Sequence, residues 1–269
     1  MVERLSFRRA STAREYLGPG PTRIVAHRGF AAVAPENTLA AVRGAVAAGA
    51  DMVEVDVRMT ADGHLVCLHD GRLERTTNGH GAVHEARLSD LLRLDAGAWF
   101  GPGFVGQRVP TLPAVLAAMR GRALLNVEVK SDGEPDPRLD RFAEVLLGQL
   151  RDHRMLEHVI VSSYEPRVLR RLRRLESSSM LAAVVGPESS NALEPLRAVH
   201  EASATALHLD HRLAVASVAG QCRAEGVHLS VFTVNDRAEA GRLARIGAAA
   251  LFTDRPDLVS EVRVRSSAV

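Results

Sequence analysis

The chain has 269 residues, 46% hydrophobic and 25% charged, with a formal net charge of +2. That length suits one large α/β domain or two small ones, and the composition is that of a globular protein able to bury a sizeable core. Basic residues do not interleave with aromatics and no run reaches the roughly 18 apolar residues of a membrane span, so neither nucleic-acid binding nor membrane crossing is expected.

Residues 1–21 read as an N-terminal arm ending in Gly18-Pro19-Gly20-Pro21; they carry arginines but no apolar signal core, so the expected location is cytoplasmic. Ile24-Val25-Ala26-His27 reads as a strand that delivers His27 and Arg28 to its carboxyl end before Gly29. Pro35-Glu36-Asn37-Thr38 opens a helix, with Asn37 or Thr38 as its cap, that closes at Gly49. Met52 to Thr60 is the second strand. Its valines face one way, while Glu54 and Asp56 project together on the other face. Two carboxylates on one face of a buried strand demand a compensating cation or proton. Asp62-Gly63 turns the chain, and Leu65 to Asp70 returns as a hairpin arm that sets His69 roughly opposite Glu54.

Residues 71–110, with turn signals and Trp99, the only tryptophan, read as an excursion over the mouth of the fold. Thr111 caps a helix with proline near its first position. Leu124 to Lys130 is a third strand presenting Asn126, Glu128 and Lys130 on one face. Helices and strands then alternate: strands at 159–162, 180–185, 206–210, 228–235 and 250–254, separated by helices near 138–151, 166–175, 192–201, 213–225 and from Asp236 to Gly247. Eight such units without a Gly-x-Gly-x-x-Gly after the first strand predict a closed (β/α)8 TIM barrel over 22–269, with a small insertion at about 71–110 after the hairpin that follows strand 2. Cys67 and Cys222 are too far apart and too apolar in setting for a disulfide framework and read as buried thiols.

Polar residues thus collect at one end of the predicted barrel, the end where barrel enzymes keep their sites. Glu54, Asp56 and Glu128 suit one hard divalent cation, calcium or magnesium, better than zinc. His27 and His69 supply a proton acceptor and a donor near neutral pH. Arg28 and Lys130 add the fixed positive charge that an anionic substrate such as a phosphodiester requires. Of 34 basic residues Lys130 is the only lysine, so this position needs a compact ammonium or simply neutralises Glu54.

Taken together these segments resemble the glycerophosphodiester phosphodiesterase family. The motifs are Ala26-His27-Arg28-Gly29 with Pro35-Glu36-Asn37-Thr38, Glu54-Val55-Asp56-Val57 with Thr60 and Asp62-Gly63, His69-Asp70 with Arg75-Thr76-Thr77, Pro110-Thr111-Leu112, Asn126 to Lys130, and Phe252 to Pro256. The resemblance implies hydrolysis of glycerophosphodiesters, small-molecule substrates of lipid and glycerol metabolism, to glycerol 3-phosphate and an alcohol, with a calcium or magnesium requirement. It makes His27 and His69 the acid–base pair, Glu54, Asp56 and Glu128 the metal ligands, and Arg28 and Lys130 phosphate ligands. Two departures stand out: Phe232 where the family often has tryptophan, and Ala249-Ala250 where Asp-Gly is commoner. Both are expected at the mouth or its supports, with Phe232 in the substrate pocket.

Two other functions fit the framework: phospholipase D-type cleavage of lysophospholipids or sphingomyelin, and non-catalytic binding of a phosphorylated polyol. The histidine pair argues against mere binding. Asp210, Asn235 and Asp254 read either as site-facing groups or as helix caps, and Trp99 with Phe100 either as a seal for the excursion or as a pocket wall. Asn37 reads as a cap. His64, His80, His84 and His208 read as turn, surface or strand residues, and the arginines at 170, 171, 173 and 174 as solvated helix surface. No residue pattern sets an oligomeric state.

Overall fold

The computed structural model describes residues 11–18, 20–131 and 133–259. Nine strands form one sheet: β1 (Arg23–Ala26), β2 (Met52–Met59), β3 (Leu65–Cys67), β4 (Leu124–Val129), β5 (Val159–Ser163), β6 (Met180–Val185), β7 (Ala206–Asp210), β8 (His228–Phe232) and β9 (Ala250–Thr253). Apart from β3, they pair in parallel around a ring that closes when β1 bonds both β9 and β2, a (β/α)8 TIM barrel with β3 added antiparallel on β2. Closure leaves the eight barrel strands without a free edge.

The helices are α1 (Ala13–Tyr16), α2 (Leu39–Ala47), α3 (Leu88–Leu91), α4 (Leu112–Met119), α5 (Asp136–Asp152), α6 (Pro166–Leu175), α7 (Pro195–Ala202), α8 (Ala216–Ala224), α9 (Arg237–Ile246) and α10 (Pro256–Val259). Several start where a side-chain oxygen satisfies an otherwise unpaired N–H: Thr38 for α2, Thr111 for α4 and Asp236 for α9. Thr38, not Asn37, caps α2. The α9 helix ends on Gly247 at φ 100°, a left-handed turn natural to glycine.

The period of two along each strand separates two cores. Outward residues such as Val53, Val55, Val57, Leu125 and Val127 pack on the helices, while Val25, Met52, Leu124, Ile160, Ala182 and Phe252 fill the barrel. The described part of the N-terminal arm joins this inner core. Ala13 and Tyr16 are 0% and 1% exposed, and the Tyr16 ring lies 5.5 Å from that of His228. The excursion packs on the hairpin through its own apolar cluster, including Val66, Leu68, Leu73, Val83 and Leu91. Its end is stitched to the return arm by a Cys67 N–H to Pro110 O bond of 2.8 Å.

The hairpin register differs by one residue from the expected one. Val57 pairs with Cys67, and the Leu68 N–H donates to Asp56 O at 3.1 Å, so continuing the ladder sets His69 level with Val55 instead of Glu54. Cys67 and Cys222 are both buried and free. Ala250 opens β9 and Ala249 accepts the Arg23 N–H at the amino-terminal end of the barrel. Those two alanines therefore lie at the base of the barrel and not at the mouth, the first of the two places open to them. Among the described residues no helix is long and apolar enough to cross a membrane.

Candidate active site

The carboxyl ends of β1, β2 and β4 bring one charged cluster together. In the β2–β4 register Asp56 sits beside Glu128 and Glu54 beside Asn126. Oxygens of Glu54, Asp56 and Glu128 all lie within 4.8 Å of one another. Glu54 is fully buried; its Oε2 accepts the Arg28 N–H at 2.7 Å, while its Oε1 has no hydrogen-bond partner. That bond depends on an unusual local backbone, with Arg28 at φ 55° and Gly29 at φ 82°. A Cβ on Gly29 would sit 2.6 Å from the Ala41 carbonyl carbon, so only glycine lets the β1 loop lie against α2.

Electrostatics divide the two buried carboxylates of β2. Burial pushes the Glu54 carboxyl well above its ordinary range and the charges of Asp56 and Glu128 push it further, with Arg28 only partly opposing them. Burial would raise Asp56 as well, but Lys130, Arg28 and His69 outweigh it and hold Asp56 below the usual range. Lys130 Nζ is 3.2 Å from Asp56 Oδ1 and also contacts Glu128; Arg28 Nε is 3.3 Å from Asp56 Oδ2. Asn37, at φ 59° and buried, grips Asp56 twice: its amide donates to Asp56 Oδ2 at 2.8 Å, and its oxygen accepts the Asp56 N–H at 3.0 Å. This clamp replaces the capping role expected of Asn37. Lys130 makes its direct contacts with Asp56 and Glu128 and also feels the charge of Glu54, the partner expected for it on one reading of the sequence.

Both histidines reach the same mouth, each with a carboxylate on Nδ1. His27 Nδ1 is 2.8 Å from Asp254 Oδ1, and His69 Nδ1 is 2.7 Å from Asp70 Oδ1. A carboxylate on Nδ1 fixes the ring and turns Nε2 toward the opposite side. Asp254 is held in turn by the Asn235 amide at 2.7 Å, so Asp254 and Asn235 face the site. Asp70 is held by Arg75, which also bonds both oxygens of Glu36 at 2.8 Å, and Glu36 accepts from Arg28 at 2.9 Å. One chain of charged hydrogen bonds therefore links His69 to Arg28. Burial pulls His69 below its ordinary value, with Arg28 and Lys130 adding to the effect against the pull of Asp56 and Asp70. Arg58 donates from Nε and a terminal nitrogen to His69 O at 2.9 and 2.6 Å, fixing the backbone as well as the ring.

A cavity of about 270 Å³ opens over this cluster, lined by His27, Arg28, His69, Glu128, Lys130 and Phe232 among others. Phe232 meets Tyr164 edge-on at 6.4 Å, and the Lys130 ammonium lies 5.6 Å from the Tyr164 ring centre. His208 also lines the cavity, stacked edge-on against Phe252. Asp210 is held by Arg212 at its rim. Trp99 stands apart: with Phe100 and Phe104 it forms an edge-to-face cluster on the excursion, and it lines none of the mouth. The structure thus brings together every expected site residue, gives Asp254 the site-facing one of its two expected roles with Asn235 bracing it, and adds Asn37, Asp70, Arg75 and Tyr164. Their signal in the chain was faint: Tyr164, Asp254 and Asp70 stand within three residues of a strand end, while Asn37 and Arg75 lie in loops well beyond one.

The model of the glycerophosphoryl diester phosphodiesterase family matches residues 27–258. A glycerophosphodiester phosphodiesterase of Caldanaerobacter subterraneus is 33% identical over 90% of this chain and 98% of its own. One from Bacillus subtilis is 32% identical over 94% of this chain and 90% of its own. A solved structure of an Oleispira antarctica phosphodiesterase in complex with the product sn-glycerol-3-phosphate shares 28% identity over 90% of this chain and 96% of that one, with a TM-score of 0.82.

Proposed function

The chain belongs to the glycerophosphoryl diester phosphodiesterase family, a family of enzymes, and on that premise we propose that it hydrolyses glycerophosphodiesters to glycerol 3-phosphate and an alcohol with one divalent cation and two histidines. The observation that carries the reading is Glu54 Oε1, a buried carboxylate oxygen without a partner, aimed into a cluster with Asp56 and Glu128. Leaving such a group unsatisfied costs about 1–3 kcal/mol or more, and one hard cation would satisfy all three carboxylates at once. The donors are oxygens only, which suits calcium or magnesium.

A bound cation supplies Lewis-acid polarisation of a phosphoryl oxygen. Arg28 and Lys130 bind and orient the phosphoryl group and oppose the charge that grows on it in the transition state. His27, held by Asp254, and His69, held by Asp70, face the group with their free nitrogens: one takes a proton from the nucleophile and the other gives one to the leaving alkoxide. Phe232 walls the pocket beside the phosphoryl group. The small mouth cavity favours a compact diester over a long-chain lipid.

The test is hydrolysis of glycerophosphocholine and its ethanolamine, inositol and glycerol analogues, with EDTA and with added calcium or magnesium. Turnover restored by either metal is expected. If no diester turned over with either metal present, the reading would be lost.

A further inference from the structure

A phosphodiester has two arms, one on either side of the phosphoryl group. On the far side of the phosphoryl-facing residues lies a second cavity of about 300 Å³, lined by Arg58, Ser131, Ser163, Tyr164 and Glu165. The two cavities share His69, Lys130 and Tyr164, so they meet where the phosphoryl group would sit. The second cavity shares Arg58 and Lys130 with a third, of about 520 Å³, which runs out between the excursion and the start of α5. Lys130 lines all three. The three cavities therefore adjoin through these shared residues: a pocket on the Phe232 side, a junction beside Tyr164, and a groove lined by Ala82 and His84.

We propose that this groove is the subsite for the departing alcohol and that it takes bulky polyhydroxylated alcohols, of the inositol or sugar-alcohol class. The proposal rests on the phosphodiesterase reading given above. Glycerol is the constant arm of these substrates and needs a pocket of fixed size; the alcohol varies and needs room to extend. The smaller cavity is walled by Phe232, Phe252 and Val184, and the groove is the roomiest of the three, with the most space for a ring and its hydroxyls beyond the ester oxygen. Its lining also suits such a ring. Met59, Val83 and Pro135 offer aliphatic faces, while Arg72, paired with Glu74, and the Glu134–Arg138 pair set charged groups between them. Alternating C–H faces and hydroxyls is the surface a polyol shows, and a site of this mixed kind discriminates mainly through the polar groups left unpaired by a poor substrate.

The groove residues Ala82 and His84 lie on the excursion, outside the catalytic cluster, and allow a steric test. Two variants of the full chain, Ala82→Trp and His84→Trp, are compared with the parent for kcat/KM on glycerophosphoinositol and glycerophosphoethanolamine, with thermal melting to confirm folding. Blocking the groove should lower kcat/KM for the inositol diester by at least about tenfold and leave the ethanolamine diester within about twofold. Equal loss on both substrates, or no loss on either, overturns the subsite. So does a folded Phe232→Ala variant that, in place of the tryptophan variants, alters the ratio between the two diesters. Failure of the parent to cleave even the ethanolamine diester with calcium or magnesium overturns the phosphodiesterase reading, and the subsite with it.

Discussion

Asp254 Oδ1 lies 2.8 Å from His27 Nδ1 although the two residues are 227 positions apart, and the contact joins the first and last strands of the barrel at its mouth. Ring closure and the orientation of His27 are thus one structural event. Burial would raise the Asp254 carboxyl, but its hydrogen bond and charge interaction with His27 prevail and hold it below the ordinary range. It is therefore an ionised acceptor at neutral pH, which places the His27 proton on Nδ1 and leaves Nε2 for the substrate.

Replacing that carboxylate tests the assignment. Asp254→Asn keeps the shape but removes the charge, and the amide can hold the ring in the wrong tautomer. We expect kcat to fall by roughly 10²-fold with KM changed little, because general acid–base catalysis is worth about 10²–10⁴-fold. A variant with normal kcat and an unchanged pH profile would show that Asp254 serves only barrel closure. Asp70→Asn should act on His69 in the same way.

The cation site makes a prediction that needs no turnover. A ligand that binds only the folded state raises apparent stability, by about 2.7 kcal/mol at a hundredfold excess over its dissociation constant. Thermal unfolding of EDTA-treated protein should shift upward on adding calcium or magnesium. The shift should vanish in Asp56→Asn, which removes a carboxylate whose partners on this cluster are already arranged by Asn37. An identical shift in parent and variant would place the ion elsewhere.

How much of this was readable from the chain depends on distance along it. The barrel was legible because strand and helix periods repeat locally, and the carboxylates of Glu54, Asp56 and Glu128 were legible because alternation along a strand fixes the face they share. Contacts that join remote segments were not. Asn37 and Thr38 were both good caps by residue type, and nothing nearby decides that Thr38 takes that role and frees Asn37 for Asp56. Tyr16 looked like part of an arm because four helical residues carry no periodic signal; only the closed barrel provides the floor that buries it. His69 falls within one residue of its expected place roughly opposite Glu54; turn position alone could not fix it more closely, because Pro110 on the far side of the excursion helps fix the return arm.

Two interior histidines give a pH dependence of stability. Burial pushes His208 down to about 3, helped by the charge of His228, and pushes His228 down to about 3, helped by Arg23. Both are neutral in the fold. In the unfolded chain they regain the ordinary value of 6.5, so between 6.5 and 3 the unfolded state binds more protons than the folded one. Their contribution is complete above pH 6.5 and is lost as pH falls. At pH 5 each should have cost about 2 kcal/mol. Urea unfolding at pH 7.5 and pH 5 measures this, and His228→Gln should flatten the slope. Equal stability of the parent at both values would mean that these rings are not held neutral.

Lys130 separates a structural from a functional need for charge. Its ammonium is 3.2 Å from Asp56 Oδ1, contacts Glu128, and lies 5.6 Å from the Tyr164 ring centre. The three contacts converge on the one nitrogen of a side chain that is 14% exposed, at the junction of the mouth cavities. Arginine keeps the positive charge but is longer and planar, so it cannot occupy the same point while leaving room for a phosphoryl group. If Lys130 only neutralises its carboxylates, Lys130→Arg should melt and turn over much like the parent. If it also binds the phosphoryl group, the variant should fold normally and lose about 10²-fold in kcat/KM, the scale of removing one preorganised donor to transition-state charge. Lys130→Met supplies the reference, because it removes the charge altogether and leaves Asp56 and Glu128 dependent on Arg28 and the cation. Melting temperature and kcat/KM measured on all three proteins decide between the two roles, and the geometry of the junction predicts that arginine will behave like methionine in turnover and like lysine in stability.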